Sequence, residues 1–378
     1  MDPRTLTARQ LNRTTLRRQS LLARSTEGPA AAIGRLAGLQ AQYANSPYIA
    51  LWSRLERFAI ADLERALDDR SVVKAGVIRA TLHLVAPADY PAYSVASATA
   101  RIASWRPTAD RVGIPTIDLH RRLLAFAHEP RTVAEMEANL EEILPDSALV
   151  GNAPGGVNHV AFRMADAHGW LIHVPPSGHW GSFAKPRYVD ASVWLPGATQ
   201  PDPDVALRIA IERYLRTYGP ASDADIGKWI GQPRLPRIRA AIGELGERIV
   251  RYRGPDGREL VDLAVAPLAT GDEPAPGRFL ARWDEVLIGY DRRDRILPDA
   301  VAGDVIRRKN GDFLPSFTVD GYVAGTWSVA SSPAEAVLEI VPSVKVGPAA
   351  HTELTEEAER LVRFMAPEAG RHDVRWAG

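Results

Sequence analysis

One stretch of the sequence decides the fold, residues 205–263, which read VALRIAIERYLRTYGPASDADIGKWIGQPRLPRIRAAIGELGERIVRYRGPDGRELVDL. Apolar residues recur at helical spacing from Val205 to Tyr218, and a Gly-Pro pair ends that helix. Ser222 is a typical N-cap for a second helix that reaches Ile230. A third helix is predicted from Leu235 to Leu245.

A β-hairpin is predicted directly after these helices. Two runs rich in β-branched residues, 249–253 and 260–263, lie on either side of the turn Gly254-Pro255-Asp256-Gly257. Three helices followed by a hairpin are the outline of a winged helix-turn-helix, a unit in which the hairpin forms the wing.

The same outline recurs twice earlier in the chain. The first copy has predicted helices at residues 8–21, 30–39 and 60–67, then a strand pair at 72–85. The second copy has predicted helices at 119–127, 132–143 and 157–167, a loop at 152–156 and a strand at 170–174. Repeated units indicate an array rather than one large core. We therefore expect three tandem winged helix-turn-helix units, at residues 1–100, 101–200 and 201–266.

The pattern changes after the linker at residues 267–277. Strands are predicted at residues 279–280, 286–288, 317–327 and 337–346, and Asp320-Gly321 is a typical two-residue hairpin turn. Thr355 is a predicted N-cap for a final helix over residues 356–365. We expect a small β-barrel with a C-terminal helix at residues 278–378, and an α+β fold for the whole chain.

Composition excludes several classes of protein. The 378 residues contain no cysteine, which excludes disulfides and thiolate metal sites and is consistent with a reducing cytoplasm. The nine histidines show no zinc-ligand spacing, so we expect neither a metal nor another cofactor. No apolar run is long enough for a membrane span, and the first residues lack the apolar segment of a signal peptide.

Charge is balanced overall but uneven along the chain. The formal net charge is zero, and of the 46 basic residues five are lysines, which leaves 41 arginines. A GC-rich genome explains most of that bias. Residues 4–24 carry six arginines and no acid, which is a candidate surface for phosphate.

Two glutamines that flank one alanine, Gln40-Ala41-Gln42, follow the second predicted helix. In an extended segment alternate residues share a side, so both amides would face one way while Ala41 packs inward. A pair of solvated turn residues is the alternative interpretation of this triplet.

The order of these parts resembles a known family, the AlkZ-like and YcaQ-like winged-helix DNA glycosylases. The resemblance covers nearly the whole chain and rests on four segments, residues 39–42 (LQAQ), 79–85 (RATLHLV), 282–290 (RWDEVLIGY) and 319–327 (VDGYVAGTW). It implies three tandem winged helices with a β-barrel, and a glycosylase activity on damaged double-stranded DNA.

The resemblance also implies roles for particular residues. The family's catalytic triplet is Gln-hydrophobic-Gln or Gln-hydrophobic-Asp, and Gln40-Ala41-Gln42 matches the first form, which is that of AlkZ. Members with two glutamines are similar to self-resistance enzymes that release bulky adducts, and in some cases interstrand cross-links, from guanine N7. His173-Val174-Pro175 fits a His-hydrophobic-Pro motif linked to DNA contact, although a strand-end histidine before a turn explains it equally well.

The chemistry of glutamine is consistent with the release of a guanine that is alkylated at N7. A glutamine amide has no titratable group near neutral pH, so it orients a water rather than deprotonating it strongly. An N7-alkylguanine is already cationic and is a good leaving group without protonation. A monofunctional enzyme that leaves an intact abasic site is therefore expected.

DNA contacts are predicted for residues in several segments, with self-paired surface arginines as the alternative. The candidates are Arg13, Arg17, Tyr43, Asn45, Lys74, Arg79, His173, Pro175, Arg292, Arg293, Asp320 and Gly321. Lys74 has two further interpretations, an amine nucleophile and a solvated wing residue. The hairpin at Asp320-Gly321 is a possible clamp on DNA.

A different class of function remains open at this point. Winged helices most often regulate transcription, so a DNA-binding regulator without chemistry is the alternative to a glycosylase. Nothing in the sequence suggests a dimerisation helix, and we expect a monomer. A family member that has changed to another small substrate is a third possibility.

Overall fold

The computed structural model describes residues 3–377 except 114, 143–159, 183, 233, 308 and 310. The predicted loop at 152–156, and the ends of the helices predicted to stop at Ile143 and start at Val157, lie outside the described residues. The fold mixes helices and sheets. No helix among the described residues is long and apolar enough to cross a bilayer.

The helices, in chain order, are α1 (Ala8–Arg18), α2 (Pro29–Arg35), α3 (Ser46–Arg54), α4 (Ile60–Asp68), α5 (Tyr90–Val112), α6 (Thr116–Phe126), α7 (Val133–Glu141), α8 (Val160–Asp166), α9 (Ala191–Trp194), α10 (Pro203–Tyr218), α11 (Asp223–Ile230), α12 (Leu235–Glu244), α13 (Glu285–Ile288), α14 (Asp299–Val305) and α15 (Pro348–Met365). The strands are β1 (Leu39–Gln40), β2 (Val73–Gly76), β3 (Leu82–Val85), β4 (Arg131–Thr132), β5 (Leu171–His173), β6 (Arg187–Asp190), β7 (Ile249–Arg253), β8 (Glu259–Leu263), β9 (Arg278–Leu280), β10 (Ile306–Arg307), β11 (Asp312–Phe313), β12 (Ser316–Val319), β13 (Tyr322–Ser331), β14 (Ala336–Pro342) and β15 (His372–Trp376).

Local signals in the sequence place most of these elements correctly. Thr7, Thr132 and Ser222 each accept a hydrogen bond from the backbone three residues on, and each forms a capping box. The predicted N-cap at Ser222 is therefore confirmed. The helices and hairpin predicted in residues 205–263 are confirmed as α10, α11, α12 and the β7–β8 pair. Helices α3 and α5 were not predicted, and α5 carries Pro107 in its interior.

The strands of the first two predicted units belong to one sheet. Its order is β1-β3-β2-β5-β6-β4, and β2 pairs with β5 across the boundary between the units. One face of this sheet contributes Ala75, Ile172 and Val189 to a core that includes residues of α10 and α11. The other contributes Leu39 and Leu84 to a second core. The number of winged-helix units stays a prediction.

The predicted β-barrel is not found among the described residues. The C-terminal sheet is open, with the order β15-β14-β13-β12-β9, and its edge strands β9 and β15 do not pair with each other. Helix α15 packs Leu354, Ala358 and Leu361 into the same core as Phe279 and Phe317 of the sheet. The helix covers a face of the sheet, so its apolar residues are buried without closure of a barrel.

Two further predictions in this region are wrong. Residues 286–288 were predicted as a strand but belong to α13, because the Asp284 side chain accepts a hydrogen bond from the Val286 N–H and caps a helical turn. A short apolar run does not by itself distinguish strand from helix. Helix α15 begins at Pro348 after the N-cap Gly347, eight residues before the predicted start at Glu356.

The hairpin turn Asp320-Gly321 is confirmed as a turn, but it lies against α1. Arg13 is completely buried, with a salt bridge to the Asp320 carboxylate and hydrogen bonds to the backbone oxygens of Asp320 (3.0 Å) and Glu273 (2.7 Å). A Cβ at Gly321 would be 2.6 Å from Arg13 Nη1 and 2.6 Å from Leu16 Cδ1. The turn therefore holds the C-terminal sheet against the N-terminal helix and is not a free clamp.

We expect Gly321→Ala to destabilise the protein more than Gly311→Ala. Both glycines have positive φ, 79° and 66°, so each alanine costs about 1 kcal/mol of backbone strain. At Gly321 the added methyl also overlaps α1, which adds about 1–3 kcal/mol, whereas a Cβ at Gly311 meets no atom within 4 Å. Denaturant unfolding measures both variants, and equal losses would contradict the close packing at α1.

Candidate active-site groove

The two glutamines of the triplet lie in different environments. Gln40 pairs with His83 at the edge of the six-stranded sheet, and the Ala41 N–H donates to the Leu82 oxygen at 2.7 Å. Leu39 and Ala41 are in an apolar core, so the prediction that Ala41 packs inward is confirmed. Gln40 is 5% exposed, whereas Gln42, just past the strand, is exposed.

Arg79 connects Gln40 to a buried carboxylate. Its Nη2 donates to Gln40 Oε1 at 3.1 Å and to the Glu285 oxygens at 2.9 and 3.2 Å. His83 Nε2 lies 3.3 Å from Glu285 Oε1, and the Tyr218 hydroxyl donates to Glu285 Oε2 at 3.4 Å. This cluster, which we call the Arg79–Glu285 cluster, joins the first hairpin, α10 and α13.

Glu285 is charged at neutral pH although it is buried. Burial by itself would raise the pKa of its carboxyl, but the charges and hydrogen bonds of Arg79 and His83 outweigh it and lower the pKa to about 2. Arg79 has the positive φ of 55°, which is uncommon outside glycine. Gly231, at the end of α11, makes room for it, because a Cβ there would be 3.2 Å from Arg79 Cα.

Gln42 lies in a groove of about 1140 Å³ between the first hairpin, α5, α7, α8 and the end of α11. The volume exceeds the roughly 300–1,000 Å³ of typical small-ligand sites. The basic residues that line it are Arg79, Arg101, Arg163, Lys185 and Lys228, and the aromatic residues are Trp105, Phe162 and Tyr188. Apart from Gln42 and Arg79, none of these was predicted as a site residue.

Arg101 holds two walls of this groove together. Its guanidinium donates to the backbone oxygens of Gly76 (3.1 Å) and Val77 (3.0 Å) in the first hairpin, and to that of Ala167 (3.1 Å) after α8. Because α5 was not predicted, no pattern in the sequence placed Arg101 or Trp105 in this groove. His83 and Glu285 stand within the family-like segments, but their contact with Arg79 is not visible in the sequence.

A second cavity lies on the other side of the Gln42 loop. It measures about 410 Å³ and is lined by Tyr43 and Asn45 together with Arg282 and Arg307. The Arg282 guanidinium lies 4.0 Å from the ring centroid of Tyr43, which is 40% exposed. Asn45 Oδ1 accepts a hydrogen bond from the Gly181 N–H at 3.1 Å.

A family model described as DNA glycosylase AlkZ-like matches residues 33–364. The chain belongs to the AlkZ-like family of DNA glycosylases. It is 26% identical over 343 residues to an interstrand DNA cross-link repair glycosylase of Streptomyces sahachiroi, which covers 83% of this chain and 85% of that protein. The solved structure of the Streptomyces sahachiroi DNA glycosylase AlkZ matches with a TM-score of 0.79 at 22% identity, over 99% of this chain and 100% of that one.

Membership in the AlkZ-like family confirms the predicted resemblance and makes the chain an enzyme, a DNA glycosylase. The alternative of a non-enzymatic regulator is not favoured. The described residues contain no group of three or more acidic or histidine side chains placed to hold a metal ion. That the enzyme uses no metal stays a prediction.

Lys74 and His173 of this AlkZ-like chain lie side by side in the sheet, where β2 pairs with β5. Lys74 is 8% exposed, and burial lowers its pKa to about 8. Burial, and to a smaller extent the charge of Lys74, lower the pKa of His173 to about 3, so its imidazole is neutral. The ring of His173 lies 4.2 Å from that of Tyr188 and its Nδ1 lies 3.2 Å from Ser177 Oγ, in the turn that contains Pro175.

The remaining predicted contacts lie outside the groove lining. Arg17 forms a salt bridge with Glu273, and Arg292 pairs with Asp256 at 3.3 Å on the surface. Arg293 is half-buried, with its guanidinium 5.0 Å from the ring centroid of Phe313. The ion pairs of Arg17 and Arg292 agree with the alternative interpretation of self-paired surface arginines.

We expect Lys74→Met to stabilise the protein at pH 7. The pKa of Lys74 in the folded protein is about 8, below the ordinary lysine value of 10.5, so at pH 7 the fold bears the cost of a buried charge. Between about pH 8 and pH 10.5 Lys74 is neutral in the folded state but still charged in the unfolded state, so the free energy of unfolding rises with pH. The methionine removes a cost on the order of 3 kcal/mol and removes that rise.

Thermal unfolding between pH 7 and 10 measures the difference from the wild type. Lys345→Met is the control, because Lys345 is exposed and its substitution removes the same charge without relieving burial. A Lys74→Met protein that is less stable than the wild type throughout this range would contradict the buried, weakly solvated amine.

Proposed function

We propose that this chain excises bulky N7-alkylguanine adducts from double-stranded DNA by hydrolysis of the N-glycosidic bond, in the groove that contains Gln42. The observation that carries the proposal is the exposed, neutral amide of Gln42 in a groove with basic and aromatic walls. The Streptomyces sahachiroi relative is named as an interstrand DNA cross-link repair glycosylase, and we extend cross-links to this chain as a second lesion class. We propose that the biological role of this repair is self-resistance to a DNA-alkylating natural product.

The proposed reaction needs no strong base. Water attacks C1′ of the nucleotide, the C1′–O bond forms as C1′–N9 breaks, and the bonding pair neutralises the cationic base. The proton of the water passes to solvent. A carbonyl oxygen of glutamine orients the water and stabilises the positive charge that develops on the sugar, which is the part of the work that a neutral amide can do.

The groove suits a large lesion on DNA. Its volume of about 1140 Å³ leaves space beside a base for a bulky adduct, and the rings of Trp105 and Tyr188 offer apolar contact area. Arg163, Lys185 and Lys228 also line it and supply charge for phosphate. On the other side of the Gln42 loop we propose that Tyr43 and Asn45 contact the DNA strand that flanks the lesion.

Two further proposals concern architecture and partners. We propose that the three helix–hairpin segments at residues 1–100, 101–200 and 201–266 act as winged helices, and that the chain binds DNA as a monomer.

The salt bridges of Arg13, Arg17 and Arg292 oppose a phosphate role for these residues, because each contact would require breaking a pair already formed.

Gln42→Ala is expected to lower the rate constant of base release about a hundredfold, since it removes the group that orients the water. The assay follows release of a guanine that carries a bulky alkyl group on N7 from a duplex oligonucleotide under single-turnover conditions. Gln200→Ala is the matched control, because Gln200 is an exposed glutamine that does not line the groove. Full activity of Gln42→Ala with normal DNA affinity would exclude Gln42 as the water-orienting group.

The product is expected to be an intact abasic site. Strand cleavage by a lyase needs an amine that attacks C1′, and the amine of Lys74 is buried in the sheet outside the groove lining. Denaturing electrophoresis after base release, without added base or nuclease, detects any cleavage. Cleavage that Lys74→Met abolishes would assign a lyase activity to that amine.

A further inference from the structure

Glu285 is a buried charge that Arg79 links to Gln40, and the proposed reaction has no role for it. It lies on α13, about 240 residues from Gln40 in the chain, and its carboxylate binds the guanidinium that binds Gln40. Glu285 is 1% exposed, so it cannot contact DNA directly. Any influence on the reaction passes through Arg79.

The contact with Arg79 determines how the Gln40 amide is oriented. Arginine is a hydrogen-bond donor without an acceptor, so the group of Gln40 that faces it is the carbonyl oxygen. The Gln40 Nε2 donates to no other described residue. The two N–H donors of the Gln40 amide therefore have no partner among the described residues.

Stability alone does not explain this cluster. A buried ion pair is often no more stable than well-packed apolar residues of similar volume. Arg79 Nη1 is buried with no hydrogen-bond partner among the described residues, and its backbone has positive φ. Both features cost free energy, and strained, unsatisfied groups of this kind occur most often at functional sites.

We propose that Glu285 is a positioning residue for the glycosylase reaction. Through Arg79 it holds the Gln40 carbonyl and leaves the Gln40 NH2 group as a hydrogen-bond donor to the oxygen of the attacking water, while the Gln42 carbonyl oxygen accepts a hydrogen bond from that water. The two glutamines then have different roles. This inference rests on the proposed glycosylase function.

A double-mutant cycle tests the proposal in the full-length chain. Glu285→Gln keeps the shape of the side chain but removes the charge that holds Arg79. We expect the single-turnover rate constant for release of the bulky N7-alkylguanine to fall about tenfold or more, with DNA affinity within about twofold of the wild type. In a Gln40→Ala background the same change is expected to have no further effect on the rate.

Asp262→Asn is the matched control. Asp262 is also buried and pairs with Arg18 at 2.8 Å, and it lies on β8 rather than on α13. Its substitution is expected to lower the unfolding temperature, and any effect on the rate is expected to be the same with and without Gln40. Additive effects of Glu285→Gln and Gln40→Ala would overturn the positioning role, because they would show that Glu285 acts independently of Gln40.

A second variant covers the case in which Glu285→Gln does not fold. Arg79→Lys keeps the ion pair, but an ammonium lacks the planar fork that reaches Glu285 and Gln40 together. We expect Arg79→Lys to lower the rate constant about as much as Glu285→Gln does, with a smaller loss of stability. Wild-type activity of Arg79→Lys would overturn the proposal. If the wild type itself releases no base, the proposed function fails; if it does and Glu285→Gln is fully active, only the positioning role fails.

Discussion

The ion pair between Arg79 and Glu285 is the interaction on which the geometry of the groove depends. Its two members come from the tip of the first hairpin and from α13, at the start of the C-terminal sheet. A charge buried at either position without the other would be strongly unfavourable. The hairpin tip, the exit of β1 and α13 are therefore fixed relative to one another, and Gln40 is fixed with them.

The six-stranded sheet also fixes segments that are far apart in the chain relative to one another. Because β2 pairs with β5, the hairpin that carries Arg79 and the strands that carry His173 and Tyr188 form one layer. Gln42 leaves the edge of this layer into a groove whose opposite wall comes from the second helical segment. Such an arrangement places a rigid base under an open site, which suits a lesion too large for an enclosed pocket.

The arginine content of the chain is less informative about DNA than it first suggests. Arg13 holds a turn, Arg101 holds two walls of the groove, and Arg54 pairs with Asp284 with both side chains completely buried. A guanidinium with five donors satisfies several backbone oxygens at once, so it is well suited to these internal roles. Burial likewise makes Lys74 and His173 part of the interior of the sheet rather than of a cationic surface.

Local signals in the sequence determined the elements whose causes lie within a few residues. The capping boxes at Thr7 and Ser222 come from side chains that bond to nearby backbone, and Asp320-Gly321 forms the two-residue turn between β12 and β13. The four segments that resemble the AlkZ-like family also indicated the class of enzyme, a DNA glycosylase.

Only the tertiary structure decided the rest. Pairing of β2 with β5, the open C-terminal sheet under α15 and the contact of Glu285 with Arg79 all join residues that are far apart in the chain. Sheet edges and buried ion pairs are selected by packing and by the free energy of removing charge from water, and neither leaves a periodic pattern in the sequence. The triplet was therefore visible as a motif, while the different environments of its two glutamines were not.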